Sequence, residues 1–238
     1  MNGYLFLLPV LLAVWSTVGV WIVFGMAVAN KAVNISQTFP YISVCGADPP
    51  QSCVFSQVLN IGAAMGASIC ILRYYQLQDW GLKKRSNQVI LCSGLLCALG
   101  TSIVGNFQHQ HQLATHLTGA FLAFFVGAFY FWLQLGFLRG LKMAAQPGAP
   151  WLGPLRLGLC SICSVLSVAM VVLHIQGLRS VAAYCEWTVA MILFLLFGLL
   201  AVDFSCLSNC TLQLKSAPLS SSPPVPAGSL QLQQSQAL

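Results

Sequence analysis

Six long apolar stretches constrain this chain more than any other feature of its sequence. Each approaches the roughly 20 residues that a helix needs to cross the hydrocarbon core of a bilayer. The stretches that we predict to span the membrane are 4–28, 54–75, 88–105, 113–138, 155–175 and 187–205. The connections between them are too short to form separate domains. The sequence therefore predicts an all-α, polytopic membrane protein with six transmembrane helices in one bundle.

The composition supports the same class. Hydrophobic residues make up 58% of the 238 residues and charged residues only 6%, whereas soluble domains carry about 25% charged residues. The net charge of +6 would favour nucleic acid if it were clustered on a soluble face. Because the basic residues are spread over short connections, we expect no nucleic-acid partner and expect membrane lipids as the surroundings.

The distribution of basic residues predicts the orientation. One set of connections and the tail carry most of them, and the alternate set carries only Lys31 and Arg179. The first set comprises Arg73, Lys83, Lys84, Arg85, Arg139, Lys142, Arg156 and Lys215. Since cytosolic loops carry the excess of Lys and Arg, we expect both termini in the cytosol. Residues 206–238 are polar and proline-rich, and we predict a disordered cytosolic tail.

The connection between the first two spans would then face the lumen or the cell exterior. It contains Cys45 and Cys53 on either side of a Gly-Ala-Asp-Pro-Pro turn, and we predict a disulfide between them because that compartment is oxidising. The same connection holds Asn34 in an Asn-Ile-Ser glycosylation sequence, close to the membrane. Cys206 and Cys210, just inside the last span, are candidates for S-acylation.

The ionisable residues of the spans lie near the predicted helix ends. His116, His174 and Glu186 form an outer group, in which Glu186 either pairs with a histidine or makes an ordinary polar contact. The inner group comprises Arg73, Arg139, Arg156 and Asp203. We interpret it as snorkelling anchors with Arg156 and Asp203 as a pair, the alternative being a lipid-headgroup site.

No set of residues predicts catalysis. His109 and His111 lack a third ligand, so we expect no metal site. The chain offers no serine–histidine–aspartate set, no phosphate-binding glycine loop and no paired carboxylates. We therefore expect no enzymatic activity and no cofactor.

Small residues mark two of the spans. Gly62 and Gly66 lie in the second span, and Gly119, Ala123 and Gly127 lie in the fourth. Small side chains let helix backbones approach closely in lipid. We predict that these residues face the bundle interior, with a dimer face as the alternative.

Several short motifs occur in order along the chain. They are GVWIVF in span one, PYIS followed by Gly46 and Pro49-Pro50, FSQVLNIGA in span two, His116-Leu117-Thr118-Gly119-Ala120 with Gly127 and Tyr130, Cys185-Glu186-Trp187, and Asp203-Phe204. Together they resemble the damage-regulated autophagy modulator family and its transmembrane protein 150 branch. The resemblance covers about residues 1–205.

The resemblance implies two classes of function. The first is a non-enzymatic regulator of autophagy and cell survival under stress or starvation, in plasma, endosomal, lysosomal or autophagosomal membranes. The second is a plasma-membrane scaffold for a phosphatidylinositol 4-kinase complex, or a lipid-handling protein. The protein partners and the oligomeric state are not identified by the sequence.

Overall fold

The computed structural model describes residues 4–140 and 150–205, and all regular structure in these residues is helical. A short 3₁₀ turn, Tyr4–Phe6, leads into the first helix. The helices are α1 (Leu7–Ala29), α2 (Ile42–Cys45), α3 (Gln51–Asp79), α4 (Lys84–Asn106), α5 (Leu113–Phe121), α6 (Gly127–Gly140), α7 (Leu152–Ile175), α8 (Arg179–Gly198) and α9 (Leu200–Phe204). A π-helical segment, Leu122–Val126, joins α5 to α6.

Consecutive helical elements join into continuous rods, and six of these rods are long and apolar enough to cross a membrane. They are Tyr4–Ala29, Gln51–Asp79, Lys84–Asn106, Leu113–Phe137, Leu152–Ile175 and Arg179–Phe204. The predicted number of spans is confirmed. The prediction for the last span was wrong at its start, because the helix begins at Arg179 rather than at 187.

The six rods pack as a closed ring that follows the chain order. Helix α1 packs on α3, α3 on α4, α4 on the α5–α6 rod, α6 on α7, α7 on α8, and α8 back on α1. We call the end of the ring that carries connections 30–50, 107–112 and 176–178 the loop end. The opposite end, which carries Tyr4, connection 80–83 and Ser205, is the terminus end.

Glycines end two of the helices with a tight turn. Gly81 after α3 and Gly177 after α7 both have φ near +80°, a conformation that glycine adopts without strain. In each case the amide of the following leucine donates back to the last helical turn, from Leu82 to Leu77 and from Leu178 to Leu173, at 3.0 Å. These bonds satisfy carbonyls that a helix end leaves free.

Polar side chains join α3 to α4 near the loop end. The amides of Asn60 and Asn106 bond to each other in both directions, at 2.9 and 3.0 Å. Ser102 donates to Asn60 at 2.6 Å, and Ser56 donates to Asn106 at 3.0 Å. Interhelical hydrogen bonds of this kind stabilise helix pairs where lipid supplies no hydrophobic drive.

Candidate functional site

The segment before α2 is fixed to α8 by hydrogen bonds at the loop end. The Ile42 amide donates to Glu186 Oε2 at 2.8 Å. The Trp187 indole donates to the Pro40 carbonyl at 3.1 Å, and the Phe39 amide donates to the Ser180 hydroxyl at 3.1 Å. These bonds hold residues 39–42 over the interior of the ring, and we call these residues the closing segment.

Glu186 lies deeper than the sequence suggested. Because α8 begins at Arg179, Glu186 is seven residues inside the helix, about 10 Å from its start at 1.5 Å per residue. The side chain is buried, and only its Oε2 has a hydrogen-bond donor among the described residues. A buried carboxylate with a free oxygen is available to a ligand.

The two histidines of the predicted outer group have partners other than Glu186. His116 Nδ1 lies 2.7 Å from the Phe107 carbonyl oxygen. Because a carbonyl only accepts, Nδ1 carries the proton and Nε2 of the neutral ring is an acceptor. His174 Nδ1 shares a 2.8 Å hydrogen bond with the Tyr41 hydroxyl. The suggested glutamate–histidine pair is therefore not formed, since each group bonds to the loop-end backbone or to Tyr41.

The outer group nevertheless surrounds one space. A cavity of about 340 Å³, which we call the loop-end cavity, has a polar part made by side chains of the outer group, the closing segment, α2 and the connection 107–112. These polar lining residues are Tyr41, Ser43, His109, His116, His174 and Glu186. The rest of the lining is apolar and comes mainly from α5, the π-helical segment and α7. A volume above about 300 Å³ with few polar groups is typical of small-molecule sites.

A second cavity, of about 110 Å³, lies in the middle of the ring. Its lining shares Ser43, His116, Ala120, Phe124 and Glu186 with the loop-end cavity. The two spaces therefore meet at Glu186 and His116.

The π-helical segment lies at this junction. Phe124 lines both cavities, Ala123 lines the central one and Phe125 lines the loop-end one. A π-helical turn holds one more residue than an α-turn and is frequent at functional sites. The sequence Leu-Ala-Phe-Phe-Val contains no residue pattern that predicts a π-helical turn, so this turn was not expected.

Glu186 and Arg179 are the charged side chains that act on the titratable residues of the loop-end cavity. Burial raises the pKa of the Tyr41 phenol, the Glu186 carboxylate adds to the rise and Arg179 opposes it. Burial, together with His174 and Arg179, lowers the pKa of His109. His109 is therefore neutral near pH 7, and Glu186 is the only Asp, Glu, Lys or Arg among the described residues that line the cavity.

The loop cysteines do not form the predicted disulfide. Cys45 and Cys53 are both free thiols. Cys45 ends α2 and is buried in the aromatic and aliphatic core of the loop end, whereas Cys53 is exposed in the first turn of α3. Burial, and secondarily Glu186, raises the pKa of Cys45 to about 12. Because Cys45 is buried and Cys53 is exposed, the two thiols are not paired in this structure.

The predicted glycosylation residue is accessible. Asn34 is exposed in the loop-end connection, and its side-chain oxygen accepts hydrogen bonds from the Ser36 amide at 3.2 Å and the Ser36 hydroxyl at 2.6 Å. Its use stays a prediction. The acylation candidates Cys206 and Cys210 and the tail lie outside the described residues, as does the side chain of Arg139.

The terminus end holds a buried charge cluster. Asp203 contacts Arg156 at 2.9 Å, so the predicted inner pair lies together. Asp203 also lies 3.3 Å from Arg73, whose side chain is 0% exposed. The interpretation of Arg73 as a snorkelling anchor was therefore wrong: its side chain points into the ring and not toward the headgroups.

Two glutamines complete this cluster. Arg73 donates from Nε to Gln134 at 2.8 Å and from another guanidinium nitrogen to Gln76. Gln76 in turn donates to the Asp203 backbone carbonyl at 2.6 Å. The cluster joins α3, α6, α7 and α9, and we interpret it as the structural clamp of the terminus end. Apart from the predicted pair of Arg156 and Asp203, nothing in the sequence indicates that these residues of four helices meet.

The predicted packing residues differ in how tightly they are packed. A Cβ atom built on Gly119 would lie 2.7 Å from Ile103 Cγ2, and one on Gly127 would lie 3.0 Å from Cys97 Sγ. A Cβ on Gly62 would contact Ser16 at 3.3 Å. The Ala123 carbonyl lies 3.4 Å from Cys97 Sγ. These four residues face other helices of the same chain.

Gly66 does not fit that description. A Cβ built on it would meet no atom within 4 Å, because Gly66 borders the central cavity. Gly100 is a packing residue that the sequence did not indicate: a Cβ atom built on it would lie 2.6 Å from the Gly119 carbonyl oxygen. Gly100 of α4 and Gly119 of α5 therefore bring the backbones of these two helices into close contact.

No group of three or more His, Cys, Asp or Glu side chains that could hold a metal is found within residues 4–140 and 150–205. Ser180, Glu186 and Trp187 of α8 hold the closing segment in place. The charged side chains of the terminus end join helices. The architecture defines a polytopic membrane protein with a six-helix ring and an internal, partly polar cavity.

Comparison with known proteins then gives the family. The family described as Frag1/DRAM/Sfk1/Cwh43P N-terminal domain matches residues 4–207, and the chain belongs to this family. The resemblance deduced from the short motifs is confirmed.

Curated relatives cover nearly the whole chain. "Modulator of macroautophagy TMEM150B" of Bos taurus is 68% identical over 94% of this chain and 95% of its own length. The Homo sapiens protein of the same name is 64% identical over 98% of this chain and 100% of its own. "Transmembrane protein 150A" of Xenopus laevis is 32% identical over 89% of this chain and 88% of its own. No solved structure matches the chain.

Proposed function

We propose that this chain is a membrane-embedded, non-enzymatic modulator of macroautophagy. The observation that carries the proposal is the 64% identity, over the full length of the human relative, to a protein named for that activity. The aligned region includes the whole six-helix ring, so both the loop-end cavity and the terminus-end clamp lie within it.

The polar groups of the ring support a non-enzymatic role. His116 and His174 bond to a backbone carbonyl and to a tyrosine, and Glu186 bonds to a backbone amide. Catalysis by acid–base or nucleophilic steps needs such groups within reach of each other and of a reacting atom. Glu186 and His174 instead position the closing segment, and His116 bonds to the connection that follows α4.

We further propose that the protein resides in the plasma membrane and in endosomal, lysosomal or autophagosomal membranes. The six apolar rods support membrane residence itself. The choice of membranes is implied by the family.

The test is autophagic flux in cells that lack the protein. Flux is measured as turnover of a lipidated autophagosome marker with and without a lysosomal inhibitor, in fed and starved cells. We expect that removal changes flux and that re-expression of the full chain restores it. An unrelated six-span membrane protein at the same level is the control and should not restore it.

Unchanged flux after removal and re-expression would contradict the proposal. If, in addition, the phosphatidylinositol 4-kinase left the cell surface on removal, the scaffold alternative would replace it. Organelle markers imaged in the same cells show which membranes carry the tagged protein.

A further inference from the structure

The loop-end cavity has an opening toward the bilayer between α5 and α7. Leu117 and Phe121 of α5 and Val171 and Ile175 of α7 line the cavity and are also exposed on the outer surface of the ring, Ile175 by 78%. These side chains face lipid in a membrane-spanning bundle. The packing of α7 against the fourth rod is made mainly by α6 and the π-helical segment, so the two rods are less closely packed near the loop end.

The inner end of the cavity offers hydrogen-bond acceptors. Glu186 Oε1 has no hydrogen-bond partner among the described residues, and the Glu186 side chain is more than nine-tenths buried. His116 is 3% exposed and, with Nδ1 bonded to Phe107, has Nε2 as its free acceptor. Neither atom is among the fully enclosed polar atoms that lack a partner, so each keeps accessible surface, and a ligand in the cavity can donate a hydrogen bond to it.

The shape and the polarity together select a class of ligand. We propose that the loop-end cavity binds a membrane lipid with an uncharged, single-hydroxyl head, such as a sterol or a diacylglycerol. The hydroxyl donates to Glu186 or His116, where the two cavities meet. The hydrocarbon part lies against Phe121, Phe125 and Met170 and leaves through the opening between α5 and α7.

Charge argues against the other common headgroups. An anionic phosphate would face the Glu186 carboxylate and the His116 acceptor, which repel it. A cationic amine would be attracted by Glu186 but repelled by Arg179, whose charge reaches Tyr41 and His109, and it would have to give up its hydration to enter a mainly apolar cavity. An uncharged hydroxyl meets neither obstacle. The position of Glu186, about 10 Å inside α8, places the hydroxyl below the charged headgroups.

The proposal does not depend on the autophagy function, and photo-crosslinking tests it directly. The full chain, reconstituted in phosphatidylcholine vesicles, is exposed to a photoactivatable sterol with a free hydroxyl and to the same sterol as its methyl ether. The ether keeps the shape and the acceptor but cannot donate. We expect the hydroxyl probe to label α5 or α7, and the ether to label about fivefold less, as for the loss of one hydrogen bond.

Two substitutions on one helix provide the matched control. Val171→Trp places an indole in the opening, whereas Val165→Trp places one on the lipid-facing surface of the same helix, outside the cavity lining. We expect Val171→Trp to lower labelling several-fold and Val165→Trp to leave it unchanged. Competition with unlabelled cholesterol or diacylglycerol then distinguishes the two sources of the hydroxyl.

Three results would overturn the proposal. They are equal labelling by the hydroxyl and the ether, equal labelling of the Val171→Trp and Val165→Trp variants, and preferential labelling by a photoactivatable phosphatidic acid. Size-exclusion profiles of both variants show that the protein is folded. Since no step measures autophagy, a negative result here leaves the flux experiment unaffected.

Discussion

At the residue scale, the buried Arg73 shows best what a single side chain contributes and what the sequence hides. An arginine near the end of an apolar span can either reach the lipid headgroups or turn into the helix bundle. The neighbouring sequence is the same in both cases, so it does not distinguish them. Here it turns inward, because Asp203, Gln76 and Gln134 supply the partners that its charge requires. The pairing of Asp203 with Arg156 was predictable, because these two opposite charges lie near the same predicted end of the helix bundle. The participation of Arg73 in the same cluster was not predictable. The partners of Arg73 come from its own helix α3 and from α6 and α9.

Removal of the shared carboxylate should therefore destabilise the protein strongly. Asp203→Asn leaves Arg73 buried and uncompensated, and we expect a loss of about 3–5 kcal/mol of stability. Asp79→Asn, at an exposed aspartate of α3, is the matched control and should change stability by less than about 0.5 kcal/mol. Thermal unfolding of the purified proteins in detergent measures both. Equal melting of the two variants would show that the cluster is not a structural clamp.

At the element scale, the helices themselves were largely predictable and their irregularities were not. Runs of apolar residues long enough to cross a bilayer gave six spans, and five of their starts lie within four residues of the observed helices. The start of the sixth span was predicted too far along the chain, because the charged residues Arg179 and Glu186 indicated that the segment before 187 was polar. In the structure Glu186 is hydrogen-bonded to the closing segment, so the helix continues through it. The π-helical segment and the cavity beside it depend on how neighbouring helices pack. The spacing of residue types along a single helix does not show this packing.

The small residues provide a prediction in which two similar substitutions act in opposite directions. Gly119→Ala places a methyl group 2.7 Å from Ile103 Cγ2 and should cost about 1–3 kcal/mol through overpacking. Gly66→Ala meets no atom within 4 Å and should stabilise α3 by about 0.5–1 kcal/mol, since alanine favours a helix over glycine. Melting temperatures in one detergent compare the two variants. A stabilised Gly119→Ala would contradict the close contact of α4 and α5.

At the scale of the whole molecule, the protein is one ring of six helices whose two ends differ. The terminus end is held by buried charges, and the loop end is closed by a hydrogen-bonded segment over a cavity. The bias of Lys and Arg predicts that the terminus end faces the cytosol. The loop end, with Cys53, Asn34 and the mouth of the cavity, then faces the lumen or the exterior. This placement would give the cavity access to the leaflet on that side.

The most direct measurement of this arrangement is the labelling of Cys53 with a membrane-impermeant maleimide in intact cells. The other cysteines are replaced by serine or alanine in the labelled protein, and a second protein retains only Cys45. We predict that Cys53 at the cell surface is labelled without permeabilisation, because it is exposed at the loop end. Cys45 should react far more slowly, because burial raises the pKa of its thiol to about 12. If surface-exposed protein labels at Cys53 only after permeabilisation, the loop end faces the cytosol and the account is contradicted.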